Sequence, residues 1–566
     1  MKKIKKITSL ILVFATAATL LTGCSDDNIR TEKEATMSYE DAVTEMTSMM
    51  KKVKVTEIKD PVLDIYSDED TDAAQLDDIS TFPVTVEGQG DINIEIAAAT
   101  ELSANAPDDW LNLVAERFNK EKYTIGDKTV SVSVRKITSG EVVTYMLADA
   151  YEPDVFIPSN YAWGMMLESS GIETEKITDR IAGNTAGILI EDAAYDSFIE
   201  KYKEASVSNV LEAALAGDLT FAYTNPYTSS TGLNILTSML SSFDKDDPLS
   251  AEAQGKLLEY QKTSPPVAYT TAVLKNQAAK GIISAMVMEE QAYINTPELK
   301  GYTYIPAGIR HDHPVYTFSY CSEEKKEAAK LFTDYCLNNE NQKLASEKGF
   351  NRHDDYLSQD TGLDGTGYLM AQKVWKENKN GGRPVVAVFI TDVSGSMGGQ
   401  PLNSLKMSLI NASSYIGSEH YIGLVSYSND VTVNLPINKF DAKQKAYFHG
   451  EVKNLSDSGS TATYDAVLVS LNMIQKKTKE LQSSGVDNVK PMLFLLTDGE
   501  QNEGYSLNRI TPIVAGMKIP VYTISYNYED NNKELEKLSA INEVSALKAS
   551  DGDIVNLLRN LFNVEL

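Results

Sequence analysis

The chain has 566 residues, 42% of them hydrophobic, enough for two or three domains with packed cores at ~150 residues per domain. Acidic residues outnumber lysine and arginine 80 to 52, a net charge of −28, which argues against binding nucleic acid or adhering to anionic lipid. Three cysteines are too few for a disulfide scaffold.

At the N-terminus, Lys2, Lys3, Lys5 and Lys6 precede an apolar stretch over 7–21, shorter than the ~20 residues of a membrane span. It closes on Leu21-Thr22-Gly23-Cys24, which resembles the lipobox of bacterial lipoproteins. The resemblance implies a signal peptide over 1–23, lipid on Cys24, and a mature chain anchored on the extracytoplasmic face of the bacterial cell membrane. A plain secretory signal with a chance cysteine is the alternative. No later stretch is long and apolar enough to span a bilayer, so lipid is the expected membrane anchor. Cys321 and Cys336 then remain, either bridged or as two buried thiols, and the thiols are the simpler expectation.

Residues 24–90 read as an acidic tether. Positions 38–53 can form one short amphipathic helix, and 60–80 lacks lysine and arginine. Asp68, Asp70 and Asp72 alternate as in a calcium loop, but an EF-hand needs glycine where Ala73 stands and glutamate where Ile79 stands. A solvated spacer is therefore expected.

From Ile92 strands and helices alternate: strands over 92–96, 130–134 and 154–157, helices over 110–119 and 140–150. The alternation continues through 219–223, a helix over 231–242, the segment 281–288 and a helix over 323–336. This pattern predicts an α/β domain with a largely parallel sheet across 91–351. Residues 352–382 are rich in turn formers around a short helix and read as a linker.

Residues 385–390 form a continuous valine-rich run, as expected of a central parallel strand buried on both faces. The run leads into Asp392-Val393-Ser394-Gly395-Ser396. Gly459-Ser460-Thr461 opens a predicted helix, and Thr497-Asp498-Gly499 ends a predicted strand over 492–496. Three such loops can converge above the carboxyl ends of the strands, where doubly wound folds place ligands. They bring together two carboxylates and three hydroxyls, an all-oxygen set suited to a hard octahedral cation. A coordination position left to water can take a carboxylate from a partner.

Asp392, Ser394, Ser396, Thr461 and Asp498 reproduce the metal-site pattern of the von Willebrand factor A family, which the whole of 383–566 resembles. The resemblance implies a doubly wound, Rossmann-like domain that binds Mg²⁺, or another divalent cation such as Mn²⁺, and docks a protein ligand through an acidic residue. It implies an interaction module and not an enzyme, and no nucleophile–base set stands out in the chain.

The middle region resembles, more loosely, the extracellular solute-binding proteins of bacterial ABC transporters, on the lipobox, the loop over 97–107 and Thr224-Asn225-Pro226-Tyr227-Thr228-Ser229-Ser230-Thr231-Gly232. The resemblance implies two lobes around a cleft. Hydroxyls and N–H groups at a helix N-terminus can cradle an anion, although 228–230 can equally just cap the helix. By loop position, Ser103, Ser159, Ser229 and Thr231 are the candidate solute-binding residues, for a small solute or a peptide. His311-Asp312-His313 is expected in an exposed loop. Two functions follow as expectations: a cell-surface lipoprotein making cation-dependent protein interactions, or the substrate-binding component of an ABC-type transport system whose C-terminal domain docks a partner.

Overall fold

The computed structural model describes residues 37–64, 76, 78–268, 274–275, 277–278, 281, 283–359, 361–499, 501–526, 533–542, 547–549 and 554–566. The signal segment, Cys24 and the Asp68, Asp70 and Asp72 series lie outside the described residues. No helix among the described residues is long and apolar enough to cross a membrane.

The C-terminal domain is built on the strand Val385–Asp392, buried along its whole length. Alternate side chains leave it in opposite directions. Val386, Val388 and Ile390 enter a core shared with the helices Thr463–Ser483 and Leu507–Met517. Val385, Ala387 and Phe389 enter a second core with the helices Gln400–Ala412, Ala442–Asn454 and Ile554–Glu565. Two apolar faces on one strand require helices on both sides, which makes the sheet doubly wound. Its order is Val55–Glu57, Val431–Lys439, Tyr421–Tyr427, Val385–Asp392, Lys490–Thr497, Val521–Tyr526 and Leu547–Ala549. Tyr421–Tyr427 and Val431–Lys439 form an antiparallel hairpin. The helix Ala442–Asn454 was not legible in the sequence.

The first strand of that sheet comes from the segment expected to be a tether. Helix Tyr39–Met50, capped by the Ser38 side chain, buries Ala42, Met46 and Met49 in the core beside Leu507–Met517. Val55–Glu57 then pairs along Val431–Val433. Further on, the Val62 amide donates to Glu451 Oε1 at 2.7 Å, and Asp64 pairs with Lys453 at 2.5 Å. Residues 37–64 are thus a packed part of the C-terminal domain. The buried positions i, i+4 and i+7 of an amphipathic helix needed a partner, and a distant part of the chain supplies it.

The middle region folds as two lobes. The first holds a sheet ordered Val84–Val86, Lys128–Lys136, Ile92–Ala98, Val155–Ile157, Val315–Phe318 and Thr174–Thr178. The second holds Val267–Ala268, Phe221–Thr224, Ala285–Glu289, Thr185–Glu191 and Tyr302–Arg310. The chain crosses between lobes at 181–185 and returns at 310–315, and the two crossings are bonded: the His311 amide donates to Asn184 O and the Ile181 amide to Asp312 O. Strand Val84–Val86 belongs to the first sheet, so the expected tether ends before it. Cys321 and Cys336 are buried free thiols.

The expected linker over 352–382 is largely a working part of this domain. Helix Gly365–Asn378, capped by Asp364, lies against Ala162–Ser169 of the first lobe and against Ser230–Phe243 and Ala251–Lys262 of the second. The Trp375 indole donates to Tyr223 OH at 2.9 Å, and Gln372 Nε2 to Pro226 O at 2.9 Å. A Cβ on Gly365 would stand 2.0 Å from Met165 O, so only glycine allows the helices this close. The helix braces the two lobes; its apolar positions are diluted by glycine and lysine, which hid its burial.

Candidate metal centre and interlobe cleft

Strands Val385–Asp392 and Lys490–Thr497 pair in parallel with Val385 opposite Lys490 and Thr391 opposite Leu496. Their carboxyl ends therefore coincide, and Asp392 and Asp498 emerge side by side. Asp392 is fully buried. Its Oδ1 accepts from the Ser394 amide at 2.8 Å, and its Oδ2 from Thr497 Oγ1 at 2.7 Å and Tyr427 OH at 3.2 Å. Ser396 Oγ lies 3.1 Å from Ser394 Oγ and donates to Asp498 Oδ1 at 3.0 Å. Burial, then the charge of Asp392, holds the Asp498 carboxyl above the usual range, although the Ser396 bond opposes this.

Thr461 arrives differently. Its amide donates to Asn502 Oδ1 at 2.9 Å, and its carbonyl accepts from the Asn502 and Glu503 amides. That ties the Thr461 loop to the loop after Asp498. The Gly395 amide donates to Gly459 O at 3.0 Å, tying it to the first loop as well, and Gly459 has φ +78°, which favours glycine. The structure joins Asp392, Ser394, Ser396 and Asp498 through side-chain bonds, and Thr461 through its backbone. Sequence reasoning did not single out Thr497 and Tyr427, which hold the Asp392 carboxylate. Thr497 sits beside Asp498 in the motif and was within reach; Tyr427 carries no sequence signal.

Among the described residues no lysine or arginine pairs with Asp392 or Asp498. Two adjacent carboxylates, one fully buried, and two hydroxyls without a neutralising side chain suit a hard divalent cation. The residues fit the group.

The second site lies between the lobes, a cavity of about 380 Å³. Ser159, Ser229 and Thr231 line it, as expected; Ser103 does not. The Ser103 hydroxyl turns inward and donates to Ala98 O and Ala99 O, closing its own helical turn. The other hydroxyls are largely committed. Ser229 Oγ accepts from the Gly232 amide as an N-cap and lies 2.8 Å from Thr231 Oγ1. Ser159 donates to Glu101.

His311 and His313 are fully buried, contrary to the exposed loop expected, because 310–315 is the crossing between lobes. Their protonation differs. His313 Nδ1 faces Ala182 O at 2.7 Å and Nε2 faces Glu101 Oε1 at 3.1 Å, so both nitrogens donate. Burial opposes the charges of this pair, but their mutual bond and attraction prevail: His313 is raised, and Glu101 is held at about 2. His311 Nε2 faces the amide nitrogens of Asn160 and Asn234, at 3.2 and 3.4 Å, and must accept. Its Nδ1 then donates to Glu289 Oε1 at 2.6 Å. Burial pushes His311 down to about 3 and Glu289 well above the carboxylate range, so this pair is neutral.

A sheet wound on both faces with an oxygen-lined site at its carboxyl edge, joined to a two-lobed cleft, defines a two-module binding protein. Residues 387–560 match the von Willebrand factor type A domain, and residues 100–351 match the bacterial extracellular solute-binding protein family. The chain joins a solute-binding domain of that family to a von Willebrand factor type A domain.

Among curated proteins it is similar to inter-alpha-trypsin inhibitor heavy chain H3 of Bos taurus, 27% identical over 187 residues, covering 31% of this chain and 20% of that protein. The Homo sapiens protein of the same name is 27% identical over 190 residues, with the same shares. The chain thus spans about a fifth of the length of these relatives. Among solved structures, iron-bound HitA from Pseudomonas aeruginosa aligns at 12% identity and TM-score 0.36, covering 51% of this chain and 99% of that one. The sulfate-binding protein SubI from Mycobacterium tuberculosis H37Rv aligns at 14% and 0.34, covering 46% and 88%. A von Willebrand factor type A structure from Catenulispora acidiphila aligns at 17% and 0.29, covering 32% and 42%.

Proposed function

We propose that the C-terminal domain is a divalent-cation-dependent docking module on a lipid-anchored surface protein, and that the middle domain holds a small solute in its cleft. The observation that carries the reading is the pair Asp392 and Asp498, brought together by parallel strands without a basic neighbour among the described residues. Asp392, Ser394, Ser396, Thr461 and Asp498 would hold Mg²⁺ or Mn²⁺. The ion would supply an electrophilic position for a carboxylate of a protein partner. Thr497 and Tyr427 fix the Asp392 carboxylate, and Asn502 and Gly459 hold the Thr461 loop in place. The lipid on Cys24 would keep both modules at the outer face of the membrane.

The bonded double crossing and the cavity between the lobes favour a second reading beside the first. The middle domain would be the substrate-binding component of a transport system, and the C-terminal domain would dock its partner.

The metal reading is tested by thermal unfolding of the full chain with Mg²⁺ and with chelator. A ligand that binds only the folded state raises stability by RT ln(1 + c/Kd), with c the free ligand concentration. Wild type should gain stability with Mg²⁺, and Asp392→Ala should lose that gain while keeping its fold. An equal Mg²⁺ response in both proteins would refute the assignment.

A further inference from the structure

The helix start at 228–231 could cradle an anion or simply be capped, and the described walls of the interlobe cavity are mostly acidic. Among the described residues, Glu101, Asp108 and Glu289 line it, against a single basic residue, Lys275. The Glu101 and Glu289 side chains each keep 12% exposure while one oxygen of each is bonded to a buried histidine. The charges can be counted. Glu101 is neutralised by His313, and Lys275 offsets one further carboxylate. Of Asp108 and Glu289, one remains without a counter-ion. Burial raises both of these carboxyls, joined by the charge of Glu101, although the Gln291 bond opposes the rise at Asp108. A cation in the cavity would relieve the repulsion among these carboxylates.

A second observation points the same way. Gln291 is fully buried and lines the cavity. Its Nε2 donates to Asp108 Oδ1 at 2.8 Å, and its Oε1 has no hydrogen-bond partner among the described residues. An unmet buried acceptor is unfavourable, and only a donor relieves it. The hydroxyls on the facing wall are taken up in capping and in bonds to one another and to Glu101. Among the described lining residues none is tryptophan, tyrosine or phenylalanine, so the described wall offers no aromatic face of the kind that holds quaternary ammonium groups. A cation with N–H donors fits where a methylated one does not.

We propose that the cleft binds a small solute through a protonated primary amine, seated among Asp108, Glu289 and the Gln291 carbonyl. This rests on the reading of the middle domain as a solute-binding module. The polar remainder of the solute lies toward Ser229, Thr231 and Lys275. A volume of about 380 Å³ suits a metabolite-sized ligand.

The test is calorimetric titration of the full chain with ethanolamine and putrescine, with choline as the quaternary counterpart, and with sulfate, molybdate and glucose as the other ligand classes. A primary amine should bind and choline should not. Glu289→Gln and Asp108→Asn should each weaken amine binding about tenfold or more, as loss of a charge-assisted bond implies. Circular dichroism would verify that both variants fold, and Gln291→Glu serves as the gain-of-charge variant, expected to tighten amine binding. Binding of an oxyanion or of glucose without the amines would overturn the proposal and leave the solute-binding reading in place. Choline binding as tightly as the amines would overturn the requirement for N–H donors. No heat with any of these ligands would remove both.

Discussion

At the scale of single residues, the proposed metal site would depend on groups that do not touch the ion. Thr497 Oγ1 donates to Asp392 Oδ2 at 2.7 Å in a fully buried setting. Thr497→Val preserves shape and removes that donor, leaving a buried carboxylate oxygen with only the longer Tyr427 bond at 3.2 Å. The loss should be about 1–3 kcal/mol of stability in the C-terminal domain without metal, read by urea unfolding, together with a reduced but persisting response to Mg²⁺. A variant as stable as wild type, with an undiminished Mg²⁺ response, would show that Thr497 does not position Asp392. The five residues proposed to hold the ion were legible because each motif joins a chemical group to a secondary-structure boundary. Tyr427 was not, since a tyrosine ending an apolar strand looks like core. In the cleft, Glu289 sits far along the chain from Glu101 and Asp108, and only folding places the three on one wall. Ser103 was picked by loop position, and the short helix Thr100–Ser103 turns its hydroxyl into the backbone.

At the scale of elements, the strand Val385–Asp392, buried on both faces, and the 21-residue helix Thr463–Ser483 give long patterns that the sequence shows, whereas the helix Ala442–Asn454 does not. Two elements escaped through their partners. Helix Tyr39–Met50 looked amphipathic, but its sequence does not say that its apolar face meets Leu507–Met517. Helix Gly365–Asn378 looked like part of a linker because turn formers flank it. Met46 gives a direct test. It is fully buried in the C-terminal core, and Met46→Ala should cost about 2–5 kcal/mol, measured as a lower denaturation midpoint of that domain. A tether residue would give no change, and that result would remove residues 37–64 from the domain.

At the scale of the whole molecule, the two modules meet through a buried ion pair. Arg559, on the last helix Ile554–Glu565, pairs with Glu141 of helix Ser139–Leu147, and both side chains are at most 5% exposed. Lys376 adds a bond to Tyr415 O at 3.1 Å. Each end of the ion pair leads to a site. Ser139 begins its helix on the cleft wall. Phe562, beside Arg559 on its helix, packs at 4.9 Å on Phe389 and 5.4 Å on Phe494, in the strands that carry Asp392 and lead to Asp498. Glu141→Gln would strand a buried guanidinium, at about 3–5 kcal/mol. Calorimetric unfolding of this variant should show the two domains melting apart, where wild type melts as one. An unchanged melting profile would mean that the pair does not hold the domains together.

The central claim, a docking site that works through a divalent cation, is tested most directly by capture from the surface of its own cells. The full chain and Asp392→Ala would each be used as bait, with Mg²⁺ and then with chelator. The account predicts a partner retained by wild type with Mg²⁺ and released by chelator, and absent from the variant under both conditions. A partner held equally by both baits, whether or not the metal is present, would contradict it.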